Sequence, residues 1–374
     1  MKDKERKTRE PLVHITKRAT IPLWKAILVR VVAILIAVVI SAVIVVVFTH
    51  KNPAEVMKAM INGNFGSARK VLFLLQRTAM LLCISLAVTP AFRMKFWNIG
   101  AEGQVLMGAL AAAACMFYFG KTRMPNWLLL ILMFAASLFF GILWAIIPAI
   151  FKAAWNTNET LFTLMMNYVA MQLIQVCVSI WAPNGSGVMG HINPDTYKGW
   201  LPDVFGQKYL INIVFVTLLT GILFVYLTFS KHGYEISVVG ESENTARYIG
   251  INVKKVILRT MALSGMICGF AGFLLVAGEN HTITKDLAGG MGFTAIMVSW
   301  LGKFNPLSMI LTTLLLVFMG RGADEISTQF GLSTSFSDII TGIILFFIIG
   351  CEFFIRYRVH INRRKATDAE KEEN

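Results

Sequence analysis

Ala91-Phe92-Arg93-Met94-Lys95-Phe96-Trp97-Asn98-Ile99-Gly100-Ala101-Glu102-Gly103-Gln104 is the stretch on which the reading of this chain turns. On both sides the sequence is apolar over lengths that suit a membrane crossing. Here two cations, a Trp-Asn pair, two glycines three apart, a carboxylate and an amide fall within a dozen residues. An apolar run then resumes at Val105 with no turn cluster between. Non-helical backbone at membrane depth is tolerated only inside protein or along a wet cavity. The break therefore marks a candidate pathway, and Asn98, Glu102 and Gln104 are its candidate lining residues.

Composition sets the solvent. Of 374 residues, 56% are hydrophobic and 15% charged, against roughly 25% charged in a soluble domain. Mean hydropathy is +0.64. The formal charge of +14 does not point to nucleic acid. The cations gather near the two ends and in short connections, which suits the positive-inside bias and not a phosphate-binding groove. Cys83, Cys115, Cys177, Cys268 and Cys351 are far apart in apolar segments, and they read as small packing residues. The few histidines are scattered, so neither a metal site nor a His-based triad is supported. Gly120-Lys121-Thr122 resembles the end of a phosphate loop, but its first glycine would fall at Cys115, within an apolar helix.

Apolar runs of about 20 residues span the hydrocarbon. They predict an all-α polytopic membrane protein of about ten transmembrane or broken helices. The runs lie near 25–49, 71–90, 99–119, 127–151, 159–181, 209–229, 257–277, 307–319 and 336–354, with a short apolar piece at 291–301. Residues 1–24 read as a basic cytoplasmic tail, 25–356 as the transmembrane domain and 357–374 as a charged cytoplasmic tail. The first span is longer than a secretory h-region and reads as a retained helix. Residues 182–208, rich in turn formers such as Pro183, Asn184, Gly185 and Pro202, form the longest connection between spans. With both termini inside, the inner segments hold roughly twice the Lys and Arg of the outer ones. This closes only if 291–301 is a short or broken helix.

A second Gly-interrupted segment thus appears at 288–302, matching the one at 98–108. Each follows a helix bearing Arg-Thr, at Arg77-Thr78 and Arg259-Thr260. Paired broken helices point to a midplane pathway built from an internal repeat, and they add Phe293 and Thr294 to the candidate lining. Ionisable residues in or near spans are Arg30, Arg77, Glu102, Glu279, Asp286, Asp338 and Glu352. Arg30 and Glu352 lie near span ends, where snorkelling accounts for them. Glu102 has a plainer reading as a first-turn acid, with Asn98 capping a helix that begins at Ile99. Asn158, before Glu159-Thr160, likewise reads as a cap, and Asn167 as an interhelical bond or cavity wall; both join the candidate lining of the pathway. Gly265 and Gly269 form a GxxxG suited to close helix contact within the chain.

The hydrophilic connection 230–256 is longer than a hairpin needs. Within it a short polar helix is expected from Glu241 to Tyr248, ended by Gly250 at C′. Such a helix on a cytoplasmic loop is a good shape for docking another protein.

At these residues the chain resembles a family. Asn98-Ile-Gly-Ala-Glu-Gly-Gln104, Val239-Gly240 through Ala246-Arg-Tyr-Ile-Gly-Ile251, and Gly292-Phe-Thr-Ala-Ile296 with Leu301-Gly302 and Asn305-Pro306-Leu307 resemble bacterial ABC-transporter permeases of the simple-sugar and nucleoside uptake type. The ribose and branched-chain amino-acid permeases are more distantly similar. The resemblance implies a non-enzymatic transport subunit in the bacterial cell membrane. It also implies a second homologous permease, a cytoplasmic ABC ATPase that carries ATP and magnesium, and an extracellular substrate-binding lipoprotein. No cofactor is expected in this chain. By resemblance Gly240 to Gly250 is the coupling helix, with Gly240, Glu241, Asn244, Ala246, Arg247 and Gly250 at the ATPase. The chain departs from the family at Gly240-Glu-Ser-Glu-Asn244, where Gly-Ala/Ser-Asn-Pro is more usual. Nucleosides are favoured as substrate, with simple sugars as the alternative. The rival from another class is a stand-alone ion-coupled transporter, using Glu102 and Glu279 as proton or sodium sites.

Overall fold

A computed structural model describes residues 13–17, 22–49, 52–182 and 188–361. Of the two charged tails, only 13–17, 22–24 and 357–361 fall among them, and Pro183, Asn184 and Gly185 fall outside. In lipid, an apolar segment must satisfy its own backbone, and helices do this. In chain order the elements are β1 (Val13–Lys17), α1 (Leu23–Thr49), α2 (Pro53–Phe65), α3 (Ala68–Arg93), α4 (Ala101–Phe119), α5 (Asn126–Trp155), α6 (Glu159–Trp181), α7 (Leu210–Phe229), α8 (Lys231–Glu241), α9 (Glu243–Tyr248) and α10 (Val253–Leu275). A π-helical turn, Val276–Asn280, extends α10. Then come α11 (Met291–Leu301), α12 (Pro306–Gln329), α13 (Thr334–Arg356) and β2 (Tyr357–Ile361). Among the described residues, nine helices are long and apolar enough to cross a membrane, and α11 is the short one. The expected all-α polytopic architecture with one broken helix is what the chain adopts.

The chain divides into two compact units. In the first, formed by the segments before Ile61 and after Gly322, α1 packs on α13 through Ala33, Cys351 and Ile355, flanked by Val29. Phe48 meets Phe336 edge to face. Arg30 and Glu352, expected to snorkel separately, instead pair at 3.0 Å. Pairing in a poorly solvated setting offsets the cost that snorkelling would otherwise avoid. Strands β1 and β2 form an antiparallel ladder with Val13 opposite Ile361. Periodicity gave no sign of it, because each strand is five residues long within a charged tail.

The second unit, Ile61–Gly322, is layered. Helices α3, α4 and α10 bury most of their length, whereas α5, α6 and α7 expose most of theirs. Exposed Ile131, Phe139, Leu173 and Ile222 on the outer helices suit lipid. The inner helices approach closely because small residues line the contact. A Cβ on Gly108 would stand 2.5 Å from Gly269 Cα, and Gly141 abuts Gly265 backbone to backbone. The GxxxG on α10 thus makes its contacts within the chain, against α4 and α5. The gap between the apolar runs read at 307–319 and 336–354 is narrower than those runs imply, because α12 runs on to Gln329. Glycine is tolerated in membrane helices. The Arg321 guanidinium that interrupts the apolar pattern donates to Lys70 O at 3.0 Å and Gly63 O at 3.2 Å.

Candidate functional site

The break after α3 is a built turn. Lys95 takes a left-handed φ of 60°. Its N–H donates to Phe92 O at 3.0 Å, and Phe96 N–H to Ala91 O at 2.9 Å. These are the two bonds that close a Schellman end. The chain then re-enters as α4, whose first residue is Ala101. Gly100 occupies the N-cap without a side-chain bond. Asn98, read from the sequence as the cap of a helix beginning at Ile99, therefore lies two residues before the cap that forms. Its Oδ1 accepts the Gly100 N–H at 3.1 Å and the Gln104 Nε2 at 3.1 Å, while its Nδ2 donates to Ser264 Oγ on α10 at 3.1 Å. Asn167, from α6, completes the helix start. Its Oδ1 accepts the Gly103 N–H at 2.8 Å and its Nδ2 donates to Ile99 O at 2.9 Å. The unpaired N–H groups of a helix start need acceptors, and the Asn98 and Asn167 side chains supply two of them here.

Glu102 stands in the first turn of α4 as expected, and its carboxylate also reaches a second helix. Its Oε1 accepts the Gly290 N–H at 2.8 Å and its Oε2 the Gly292 N–H at 2.7 Å. Gly290 is the N-cap of α11, in the left-handed region at φ 74°. It has no side chain, so the carboxylate of another helix caps in its place. Gly292 is held to glycine by space, since a Cβ there would lie 2.5 Å from Glu102 N. Charge-assisted bonds to N–H groups are stronger than neutral ones, and the positive ends of α4 and α11 both favour the anion. The two breaks singled out in the sequence thus meet at one buried carboxylate. Ser264 lies three turns into α10 and Asn167 just over two turns into α6. At 1.5 Å per residue these are about 16 and 12 Å from the helix ends, near the middle of about 30 Å of hydrocarbon.

Of the candidate lining residues, Asn98, Glu102, Gln104 and Asn167 are brought together, all buried. Phe293 and Thr294 stand in the first turn of α11; Phe293 is exposed and Thr294 Oγ1 lies 3.3 Å from Gly290 O. Asn158 is apart from them. It is exposed and caps α6 by accepting the Leu161 N–H at 3.1 Å. Glu279 lies elsewhere, buried, with Gln76 Nε2 at 3.1 Å and Arg77 Nε at 3.5 Å.

Further along, α11 is tied to α3. Ser299 Oγ is 3.0 Å from Ser85 O, and Thr89 Oγ1 is 3.2 Å from Ser299 Oγ. Helix α11 ends as α3 does: Lys303 has φ 52°, and Phe304 N–H donates to Ser299 O at 2.9 Å. Trp97, just past the end of α3, and Trp300, in the last turn of α11, lie 5.9 Å apart. Both ends carry the same pair, Lys95-Phe96 and Lys303-Phe304.

The connection between α7 and α10 forms two helices in place of one. Ser230 caps α8, and Ser242 caps the six-residue α9 by accepting the Thr245 N–H at 3.2 Å. Gly250, at φ 84°, ends α9 at C′ as expected. Ile251 N–H donates to Ala246 O at 2.9 Å. Gly240 is not on the tip. It is buried in α8, where a Cβ would collide with the carbonyl oxygen of Arg93. The Arg93 guanidinium donates to Leu227 O at 3.1 Å, and Arg259 on α10 pairs with Glu235 on α8 at 2.7 Å. Ala246 is buried, whereas Glu241, Asn244 and Arg247 are exposed, with Arg247 paired to Glu243 at 3.2 Å. Sequence reasoning missed Tyr248 and Ile249, which are 92% and 51% exposed at the end of α9. Their signal was two apolar residues on an otherwise polar helix.

Residues 70–349 match the family described as branched-chain amino acid transport system / permease component. The chain is 29% identical to the glucose ABC transporter permease protein of Haloferax volcanii, covering 96% of each. It is 28% identical to the guanosine ABC transporter permease protein of Bacillus subtilis, over 86% of this chain and 92% of that one. It is 24% identical to the nucleoside ABC transporter permease protein of Lactococcus lactis, over 87% and 91%.

Proposed function

We propose that this chain, which belongs to the family of branched-chain amino acid transport system permease components, is the membrane subunit of an ABC importer for nucleosides. The observation that carries the reading is the continuity between α9 and the buried carboxylate. Helix α9 follows α8, α8 rests Gly240 on the Arg93 carbonyl, and the turn after Arg93 leads in nine residues to Glu102 and the start of α11. A push on α9 is thereby delivered to the two helix starts near midplane.

On this reading a cytoplasmic ATPase, which holds the ATP and magnesium, seats Tyr248 and Ile249 in a cleft. Asn244, Arg247 and Glu241 form the polar rim around that contact, the usual arrangement of apolar anchor and polar surround. Gly240, Ala246 and Gly250 act through the shape of α8 and α9, not through contact. Closure of the ATPase rocks the bundle and alternates access at the Glu102 junction. A second homologous permease completes the pathway, with Phe293 exposed on α11 toward it, and an extracellular lipoprotein delivers the substrate. Placing α8 and α9 inside puts both termini in the cytoplasm of a bacterial cell, in keeping with the Lys and Arg distribution. Glu102 and Glu279, the carboxylates a proton-coupled carrier would need free, are both committed to partners, which favours the ATP-driven reading over the rival.

Two of the three relatives are named for guanosine or nucleosides and one for glucose, and the nucleoside reading is taken from the guanosine and nucleoside permeases. Uptake of radiolabelled guanosine and glucose by cells with and without this gene tests it. Guanosine uptake that needs the gene, survives an uncoupler at fixed ATP and stops when ATP is depleted is the expected result. Uptake that collapses with the uncoupler alone, or glucose uptake in place of guanosine, contradicts it.

A further inference from the structure

At the end of α10 remote from α8 and α9 lies a cavity of about 730 Å3 that none of the residues discussed so far as coupling or midplane groups explains. It is walled by residues 191–203, the starts of α5 and α7, and the π-helical turn. A π turn at the end of a long helix costs regular hydrogen bonding and recurs at functional sites. This one brings Gly278 against the amide of Asn212, so closely that a Cβ would overlap it. Asn212 is 1% exposed, and its Nδ2 has no hydrogen-bond partner. His281 Nδ1, buried on the same wall, has none either. A buried polar group without a partner costs about 1–3 kcal/mol, so two at one cavity ask for a ligand that bonds to them.

The cavity is held open by a stitched loop. Ile192 N–H donates to His281 O and Leu201 N–H to Ala277 O, each at 2.8 Å. Trp200 Nε1 donates to Ile192 O at 2.9 Å, and Gly199 N–H to Asn126 Oδ1 at 2.7 Å. Trp200 stacks flat on His281 with ring centres 3.7 Å apart, and Tyr197 stands edge-on to Trp200 at 5.0 Å. Burial, with the His191 and Lys208 charges nearby, pushes His281 down to about 4, so that wall is uncharged at neutral pH. The remaining charges cancel: Lys208 faces the cavity with Asp203, and Glu279 is paired with Arg77. An anion such as a phosphate ester finds no net positive field. A neutral ring compound finds an aromatic wall and an N–H donor in Asn212.

We propose that this cavity is an outer binding site for a neutral nucleoside, occupied on the way to the midplane junction. The proposal rests on the nucleoside reading of the preceding section and adds to it a site that reading does not require. Small-molecule sites combine aromatic and apolar walls with a few placed polar groups, and here Tyr197, Trp200 and Tyr209 supply the rings and Asn212 a polar group.

The test uses the full transporter, with its partner subunits, in proteoliposomes. Asn212→Leu is expected to raise the KM for guanosine about tenfold, the equivalent of one hydrogen bond of roughly 1.4 kcal/mol, with kcat within twofold of the parent. Asp203→Cys, on the cavity lining, provides a readout that does not depend on Asn212→Leu folding. A membrane-impermeant maleimide added outside should label it, and guanosine should slow that labelling at least fivefold. Guanosine transport with an unchanged KM in Asn212→Leu and unprotected Asp203→Cys overturns the outer site and leaves the nucleoside reading standing. Absence of guanosine transport in the parent overturns that reading, and the ligand assigned to this cavity with it.

Discussion

At the scale of the residue, Glu102 carries the most consequence. Both its oxygens accept N–H groups, so Glu102→Gln would turn an amide NH2 toward one of those donors. One buried N–H then loses its partner, at a cost of about 1–3 kcal/mol. We expect Glu102→Gln to reach the membrane, to unfold several degrees lower in detergent, and to lose most uptake; an unchanged unfolding temperature and unchanged uptake would refute the junction. The type and place of Glu102 were legible in the sequence, as a first-turn acid in a polar break. Its partners were not, because Gly290 and Gly292 are 188 and 190 residues away and nothing local marks the contact. His281 gives a second residue-scale prediction. Its folded value is about 4 against an ordinary 6.5. The unfolded chain therefore binds the proton first, and stability present above pH 6.5 is lost as pH falls toward 4. The groups acting on it are His191, Lys208 and Asp203. The unfolding temperature should drop between pH 7.5 and 5, and the drop should be smaller in His281→Phe; equal drops would remove His281 as the cause.

At the scale of the element, α9 and α11 differ in how openly the sequence declares them. The end of α9 was legible, because Gly250 is the residue a left-handed C′ position calls for. Its start was misplaced, because Ser242 caps α9 and divides the segment that a continuous polar pattern joined. Helix α11 was legible as too short to span, while its cap was hidden on α4. The strands β1 and β2 were not legible, since five-residue strands in charged tails have no buried face to set a period. For α9 the exposed pair Tyr248 and Ile249 leads to a division of effects. Tyr248→Ala should weaken ATPase capture by about tenfold or more, as loss of a buried aromatic anchor does. Charge reversal, Arg247→Glu, should weaken it less, because a rim charge contributes little, and neither should alter docking of the extracellular binding protein. Pull-down of both partners from the same preparation checks this. Equal loss of both partners would argue that the variants unfold the chain and that α9 is not the docking element.

At the scale of the molecule, layering could be inferred only in part. The count of apolar helices follows from composition and run length. Which helices form the inner layer does not, because α5 and α10 are both apolar and only the glycine contacts at Gly108, Gly141, Gly265 and Gly269 reveal which surfaces face each other. Those contacts make α4, α5 and α10 a tightly packed block, through which a displacement at one end is transmitted instead of absorbed. The central claim is that movement of α8, received from the ATPase at α9, reaches the Glu102 junction through the Arg93 end of α3. Gly240→Ala interrupts that path at its narrowest point, where one methyl group meets the Arg93 carbonyl. The most direct test is the ratio of guanosine imported to ATP hydrolysed by the reconstituted transporter carrying Gly240→Ala. The account predicts an assembled complex that still hydrolyses ATP while the ratio falls about tenfold or more. A ratio equal to that of the parent, with uptake and hydrolysis either both intact or reduced together, would contradict it.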